Sequence, residues 1–147
     1  MESIGFPHFI QDNLSLSHRG VFRGMHLQKS PYGQAKLVRV LSGRLIDFVL
    51  DVDPASPTYQ KSLAVELSEE NNQLLFIPPQ YAHGFLALED HTRLMYKVDQ
   101  AYTPEAEMAY HYSILLPTIE QFIDPNDLII STKDLAATPL PSHYKCI

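Results

Sequence analysis

Two histidines, each in a strand-like segment, are the residues of this chain best suited to chemistry. His26 lies in the segment 23–28 (RGMHLQ), and His83 lies in the segment 79–85 (PQYAHGF). An imidazole on a buried strand serves as a metal ligand, as an acid–base catalyst or as a hydrogen-bonded core residue. The function of the chain depends on which of these roles the two histidines have.

A metal site is disfavoured by the residues around His26. Zinc and non-haem iron usually take three or four ligands, whereas the position two after His26 is Gln28 and no acidic residue lies between His26 and Asp47. The ammonium of Lys36 would also repel a cation. We therefore expect neither a metal nor another cofactor, and a metal-dependent oxygenase is the least favoured alternative.

Acid–base chemistry is the second functional option. It needs a base, a group that stabilises the developing anion, an acid, and a group that orients the base. His26, Lys36 and Tyr96 could supply the first three, and Asp47 or Asp134 could orient the base. The residue types alone leave open whether these side chains converge or only pack.

The elements that must position these residues are short strands. Between residue 20 and about 116, apolar runs alternate with turn residues. The apolar run 45–50 predicts a sheet that is covered on both faces, by a second sheet or by a partner subunit. The pattern predicts an all-β sandwich or barrel, with strands at residues 21–27, 36–41, 44–52, 62–67, 74–77, 84–88, 93–98 and 109–115.

The length of 147 residues predicts a single domain over residues 1–147. Residues 117–147 change in character and predict a tail packed on the barrel. Within this tail we expect a helical turn at 118–122, a turn at 125–127 and a second short helix that begins at 131–134.

Composition excludes several classes of function. The net charge of −6 argues against a nucleic acid or an anionic membrane as partner. Cys146 is the only cysteine, so no intramolecular disulfide can form. The start of the sequence lacks a signal peptide, and no apolar run approaches the length of a membrane span. We expect a cytoplasmic protein with a small-molecule ligand.

A series of short motifs resembles the dTDP-4-dehydrorhamnose 3,5-epimerases, which are nucleotide-sugar isomerases. The first two motifs are QDNLSLS at 11–17 and GVFRGMHLQ at 20–28. The others lie at 36–40, 56–59, 65–68, 76–79, 82–85, 95–97 and 131–134, so the resemblance spans roughly residues 9–140. It implies an all-β, cupin-like jelly-roll fold.

The resemblance also implies a role for each candidate site residue. His26 would be the base that removes a proton beside the C4 ketone, Asp134 would pair with it, and Tyr96 would protonate the opposite face. Lys36 would act with these as a catalytic residue near the ketone oxygen, and His83 would contact the substrate nearby. The other substrate-binding positions would be Gln11, Asn13, Arg23, Glu107 and Lys133, with Arg23 at the diphosphate.

The implied function is cofactor-independent epimerisation at C3, C5 or both of a nucleotide-linked 4-keto-6-deoxy sugar, in deoxysugar or polysaccharide biosynthesis. Family members usually begin with a longer segment that contains an Asp-x-Arg-Gly-x-Phe-x-Glu-like stretch, and this sequence has none. Contacts to the nucleotide base are then incomplete, and uncovered edge strands favour a homodimer. The alternative is a non-catalytic or truncated paralogue that binds a sugar nucleotide.

Overall fold

Short strands dominate the fold, as the sequence predicts. The computed structural model describes residues 5–141. Within them the strands are β1 (Gln11–Ser17), β2 (Val21–Gln28), β3 (Lys36–Ser42), β4 (Arg44–Asp51), β5 (Ser62–Ser68), β6 (Leu74–Ile77), β7 (Tyr81–Ala87), β8 (Thr92–Val98), β9 (Glu107–Ala109) and β10 (Ile129–Ile130). The helices are α1 (Leu116–Ile119) and α2 (Thr132–Leu135), with 3₁₀ turns at Pro104–Ala106, Tyr112–Leu115 and Pro125–Asp127.

Two sheets pack face to face. The first has the order β1-β8-β3-β6, and the second has the order β10-β2-β7-β4-β5, with β9 also paired to β2. The chain passes repeatedly from one sheet to the other, for example through the turn at Gly43 (φ +78°) between β3 and β4. This arrangement confirms the predicted all-β jelly roll.

Strand β4 is apolar on both faces because each face packs against a different layer. Leu45 and Val49 join a core between the two sheets that includes Val38, Phe85 and Leu94. The alternate residues of β4 pack on the other side of the second sheet, in a core with Phe22, Leu115, Ile119 and Ile123. The sequence predicted that a second sheet or a partner subunit would cover this face. Residues from a later segment of the same chain cover it instead.

The segment after residue 116 lies across the second sheet. Ile119 and Ile123 are buried in its outer core, and β10 pairs in parallel with the edge of β2. Ser131 caps α2, as expected, because its side chain accepts a hydrogen bond from the backbone N–H of Asp134. Residues 142–147 of the predicted tail, with Cys146, lie outside the described residues.

The strand predicted at 109–115 is wrong. Strand β9 ends at Ala109, and the chain then turns because the His111 ring accepts a hydrogen bond from the Ser113 N–H and begins a 3₁₀ turn. The turn buries Leu115 and brings Tyr112 against Phe22, with ring centroids 5.8 Å apart. The apolar residues that suggested a strand are thus the residues of this 3₁₀ turn that pack into the core.

Glycines at the crossing of β2 and β7 allow the two strands to approach closely. A Cβ at Gly84 would lie 2.6 Å from the backbone oxygen of Arg23, and a Cβ at Gly24 would lie 2.6 Å from the Cα of Gly84. The pairing register shifts between Arg23 and His26, and His26 then lies directly opposite His83. The two histidines singled out in the sequence are therefore neighbours.

Candidate active site

A polar cavity between the sheets contains most of the predicted catalytic residues. Its volume is about 230 Å³. Residues from both sheets line it: Ser15, Arg23, His26, Lys36, His83, Gly84, Phe85, Leu94 and Tyr96. A smaller cavity of about 130 Å³ adjoins it, shares His26, Lys36 and Tyr96 with it, and reaches Glu107 and Tyr102.

His26 and Asp134 form a close pair although 108 positions separate them in the sequence. The His26 Nε2 lies 2.6 Å from the Asp134 Oδ1, and the Asp134 side chain is only 4% exposed, whereas that of His26 is 29% exposed. A carboxylate can only accept hydrogen bonds, so Nε2 donates and Nδ1 keeps the lone pair that a base needs.

The backbone holds Asp134 in place for this contact. Its second oxygen accepts a hydrogen bond from the Gly24 N–H at 3.2 Å, and its own N–H donates to the Ser131 Oγ at 3.2 Å. Helix α2 and strand β2 are therefore joined at the carboxylate, which fixes the orientation of the imidazole.

Tyr96 comes from the opposite sheet. It lies on β8, while His26 lies on β2, and both side chains line the same cavity. Burial raises the pKa of the Tyr96 phenol above its usual range, and the positive charge of Arg23 partly offsets this. The phenol therefore holds its proton near neutral pH and can donate it.

Lys36 and a second histidine–carboxylate pair lie beside His26. Burial lowers the pKa of Lys36 to about 8, against the opposing effect of the negative charges of Asp47 and Glu107. His83 Nε2 lies 2.8 Å from the Oδ2 of Asp47, whose side chain is fully buried. Sequence reasoning named Asp47 as a residue that could orient a histidine; the histidine it contacts is His83.

Glu107 joins Lys133 and Tyr102 at the mouth of the smaller cavity. The Lys133 Nζ donates to the Glu107 Oε2 at 2.6 Å, and the Tyr102 hydroxyl donates to the same oxygen at 3.0 Å. Burial would raise the pKa of Glu107, but these two hydrogen bonds outweigh it and lower the pKa. The Tyr102 side chain is largely exposed and hydrogen-bonded to Glu107.

The remaining predicted binding residues are more dispersed. Gln11 and Asn13 lie on edge strand β1, where the Gln11 Nε2 donates to the Asn13 Oδ1 at 2.8 Å. Asn13 pairs across the sheet with Tyr96, yet neither Gln11 nor Asn13 lines the two cavities. Arg23 is exposed at the larger cavity and forms no ion pair with any residue in 5–141, although an acidic partner would be usual for an arginine on a strand.

The donor set gives little support for a metal. Across residues 5–141, no group of three or more His, Cys, Asp or Glu side chains is arranged to hold a metal ion. Both cavity histidines instead form hydrogen bonds with carboxylates. An imidazole–carboxylate pair and a phenol that share one cavity between two sheets suit acid–base chemistry on a small molecule.

Comparisons with known proteins agree with this chemistry. The family model described as dTDP-4-dehydrorhamnose 3,5-epimerase matches residues 1–142. An enzyme of that name from Methanothermobacter thermautotrophicus is 42% identical over 135 residues, which cover 90% of this chain and 71% of the relative. The chain belongs to the dTDP-4-dehydrorhamnose 3,5-epimerase family, and is thus an isomerase.

Solved structures show the same relationship. The dTDP-4-dehydrorhamnose 3,5-epimerase from Elizabethkingia anophelis matches with a TM-score of 0.83 and 41% identity over 90% of this chain and 72% of that one. The dTDP-6-deoxy-D-glucose-3,5-epimerase from Legionella pneumophila, solved in complex with dTDP-4-keto-L-rhamnose, matches with a TM-score of 0.79 and 38% identity over 90% and 70% of the two chains. The described residues include no helix long and apolar enough to cross a membrane.

Proposed function

We propose that this chain epimerises C3, C5 or both of a nucleotide-linked 4-keto-6-deoxy sugar, dTDP-4-dehydro-6-deoxyglucose or a close relative, in deoxysugar or polysaccharide biosynthesis. The observation that carries the proposal is the pairing of His26 on one sheet with Asp134 on α2, because His26 shares a cavity with Tyr96 from the other sheet. Binding alone needs no such opposed base and acid, which argues against a non-catalytic paralogue.

The first step is removal of a proton from a carbon beside the C4 ketone. His26 Nδ1 accepts this proton while Nε2 remains bonded to Asp134, whose negative charge stabilises the imidazolium. The ring is only partly exposed, so it can reach a substrate in the cavity without being fully solvated.

The C–H group beside the ketone is a weak acid, so the enolate that forms from it must be stabilised. Lys36 lines the cavity beside His26 and can donate to the C4 oxygen. His83 donates its Nε2 proton to Asp47, so its Nδ1 can accept from a neighbouring hydroxyl of the sugar. One preorganised donor of this kind supplies about 3–4 kcal/mol of transition-state stabilisation. Because burial lowers the pKa of Lys36 only to about 8, its ammonium persists at neutral pH.

Inversion follows from the position of the acid. Tyr96 returns a proton to the face of the enolate opposite His26, and the configuration at that carbon changes. A single base that returned its own proton would mostly restore the starting sugar.

The rest of the ligand is held at the cavity mouth. Arg23, exposed there without a carboxylate partner among the described residues, suits the diphosphate. Gln11, Asn13, Glu107 and Lys133 are the further proposed binding residues; Glu107 and Lys133 are already bonded to each other and present a preformed polar rim.

A homodimer is part of the proposal. Edge strand β1 exposes Leu14 and Leu16, which are 64% and 52% exposed, and the other edge of the same sheet exposes Leu74. An uncovered apolar edge favours pairing with a second copy. Sedimentation equilibrium tests this: a mass of twice 16.7 kDa supports the dimer, and a mass of 16.7 kDa contradicts it.

Incubation with dTDP-4-keto-6-deoxyglucose in deuterium oxide tests the activity. Proton NMR should show deuterium at C3, C5 or both and an inverted product, and the His26→Ala variant should lose both. The exposed His18 gives a matched control, because His18→Ala should behave as the wild type. Absence of exchange in the wild-type protein would favour a non-catalytic paralogue, and normal exchange in His26→Ala would exclude His26 as the base.

A further inference from the structure

We propose that Asp47 is a positioning residue of this site, which fixes the His83 ring and supplies the buried negative charge that balances Lys36. This inference rests on the proposed epimerase function. Asp47 contacts no substrate in this scheme, and it acts through its two neighbours.

The sequence pattern of β4 directs Asp47 into the barrel. Leu45 and Val49, two positions before and after it, pack in the core between the sheets, whereas Ile46 and Phe48 pack on the opposite side. Side chains two apart on a strand share a face. Asp47 is therefore a carboxylate placed in the middle of an apolar face.

The contacts of Asp47 satisfy only half of its carboxylate. Its Oδ2 accepts from the His83 Nε2 at 2.8 Å, while its buried Oδ1 has no hydrogen-bond partner among residues 5–141. A buried charge that is incompletely hydrogen-bonded destabilises the fold unless another charge compensates it. An apolar residue would pack better between Leu45 and Val49, so the carboxylate has to be explained by what it does to its neighbours.

Lys36 is the neighbour with the compensating charge. Its ammonium attracts Asp47 and Glu107, and these attractions oppose the burial that lowers its pKa to about 8. Asp47 is completely buried, whereas Glu107 is partly exposed at the cavity mouth, so solvent screens Asp47 less. The titratable and charged side chains that share the two cavities with Lys36 are Arg23 and His26 on β2, His83 on β7, Tyr96 on β8, Tyr102 and Glu107.

Replacement of Asp47 by asparagine separates charge from shape. The amide oxygen of the new side chain can still accept from His83, but the negative charge near Lys36 is lost. An opposite charge nearby changes a pKa by about 1–3 units, so the pKa of Lys36 should fall from about 8 toward 7 or lower. A fall of about one unit removes about nine tenths of the remaining ammonium at pH 9 and almost none at pH 6.

The experiment is the pH profile of the deuterium-exchange rate for the wild type and Asp47→Asn. We expect an alkaline limb near pH 8 in the wild type, and in the variant a limb at least one unit lower, with a rate loss of about tenfold at pH 9 relative to pH 6. A variant limb that stays near pH 8 overturns the inference, because a merely structural defect lowers the rate equally at every pH.

Asp51→Asn is the matched control. Asp51 is a second buried carboxylate on the same strand, but it accepts from Ser56, Thr58 and the Asp53 N–H in a turn, away from the cavities. Its variant should keep the alkaline limb near pH 8. If Asp47→Asn does not fold, Asp47→Glu retains the charge and must also keep that limb; a fall in its limb overturns the inference.

A titration independent of catalysis distinguishes this inference from the proposed function. The ¹³Cε signal of Lys36 in protein labelled with ¹³C-lysine, assigned by its loss in Lys36→Gln, should titrate near pH 8 in the wild type and at least one unit lower in Asp47→Asn. If the wild type shows no exchange, the epimerase proposal fails while this shift still supports the electrostatic role of Asp47. Equal titration midpoints in the two proteins refute that role.

Discussion

Replacement of Asp134 by asparagine is the most direct test of the proton-transfer pair. The change keeps the size of the side chain and its contact with the Gly24 N–H, but it removes the negative charge 2.6 Å from His26 Nε2. The new amide can also donate to Nε2. That would place the imidazole proton on Nδ1, the atom that must act as the base.

The size of the effect follows from the geometry. Two unit charges about 4 Å apart attract by about 4 kcal/mol at an effective dielectric constant of 20, and solvent at the 29% exposed ring reduces this. A remaining attraction of about 3 kcal/mol corresponds to about 10² in rate. Inversion of the tautomer raises the loss to about 10⁴, the value known for the corresponding change in serine proteases. We expect a loss of 10²–10⁴ on this basis, that is about 3–5 kcal/mol.

Deuterium incorporation into the 4-keto sugar, followed by NMR at a fixed pH, measures this loss directly. Asp90→Asn is the control, because Asp90 forms an exposed pair with His18 at 3.7 Å and should change the rate by less than about twofold. An Asp134→Asn rate within tenfold of the wild type, in a protein with unchanged circular dichroism, would refute the assignment of His26–Asp134 as the base pair.

Two further predictions concern the acid and the fold. Tyr96→Phe should retain deuterium exchange but form inverted product about 10²–10⁴ times more slowly, which NMR coupling constants of the product can measure; inverted product at the wild-type rate would exclude Tyr96 as the acid. Gly84→Ala should lower the free energy of unfolding by about 1–3 kcal/mol, because its Cβ would lie 2.6 Å from the Arg23 oxygen. Urea denaturation checks this against Gly5→Ala, whose Cβ meets no atom within 4 Å and should have no effect.

The strands of the barrel were predictable because their alternation and turns are local. Seven of the eight predicted runs correspond to β2 to β8, and the last one fails where the His111 side chain starts a 3₁₀ turn. Strand β1 was recognised only as a family motif, since its Leu14 and Leu16 point to solvent and give no burial signal. Its pairing with β8, more than 70 positions away, is a tertiary contact that no local pattern encodes.

The site was predictable in its residue types but not in all of its pairings. The family motifs named His26 and Asp134 as partners, and the structure places them in contact. The His83–Asp47 pair was not assigned, because strand parity alone does not show which face of β4 looks into the barrel. That face becomes evident only when the covering of the other face by Leu115 and Ile119 is known.

The two histidines that lie opposite each other on β2 and β7 are bonded to carboxylates of different origin, and this difference separates their functions. His26 is paired with Asp134 on helix α2 and keeps 29% of its side chain exposed, so it can exchange a proton with a substrate. His83 receives Asp47 from the neighbouring strand and is 8% exposed, so its ring has little freedom to move. A base must change its charge during the reaction, whereas a group that only holds the substrate in place works best when it is already oriented. Removal of Asp134 should therefore reduce proton transfer across the pH range, while removal of Asp47 should reduce it mainly where Lys36 loses its proton.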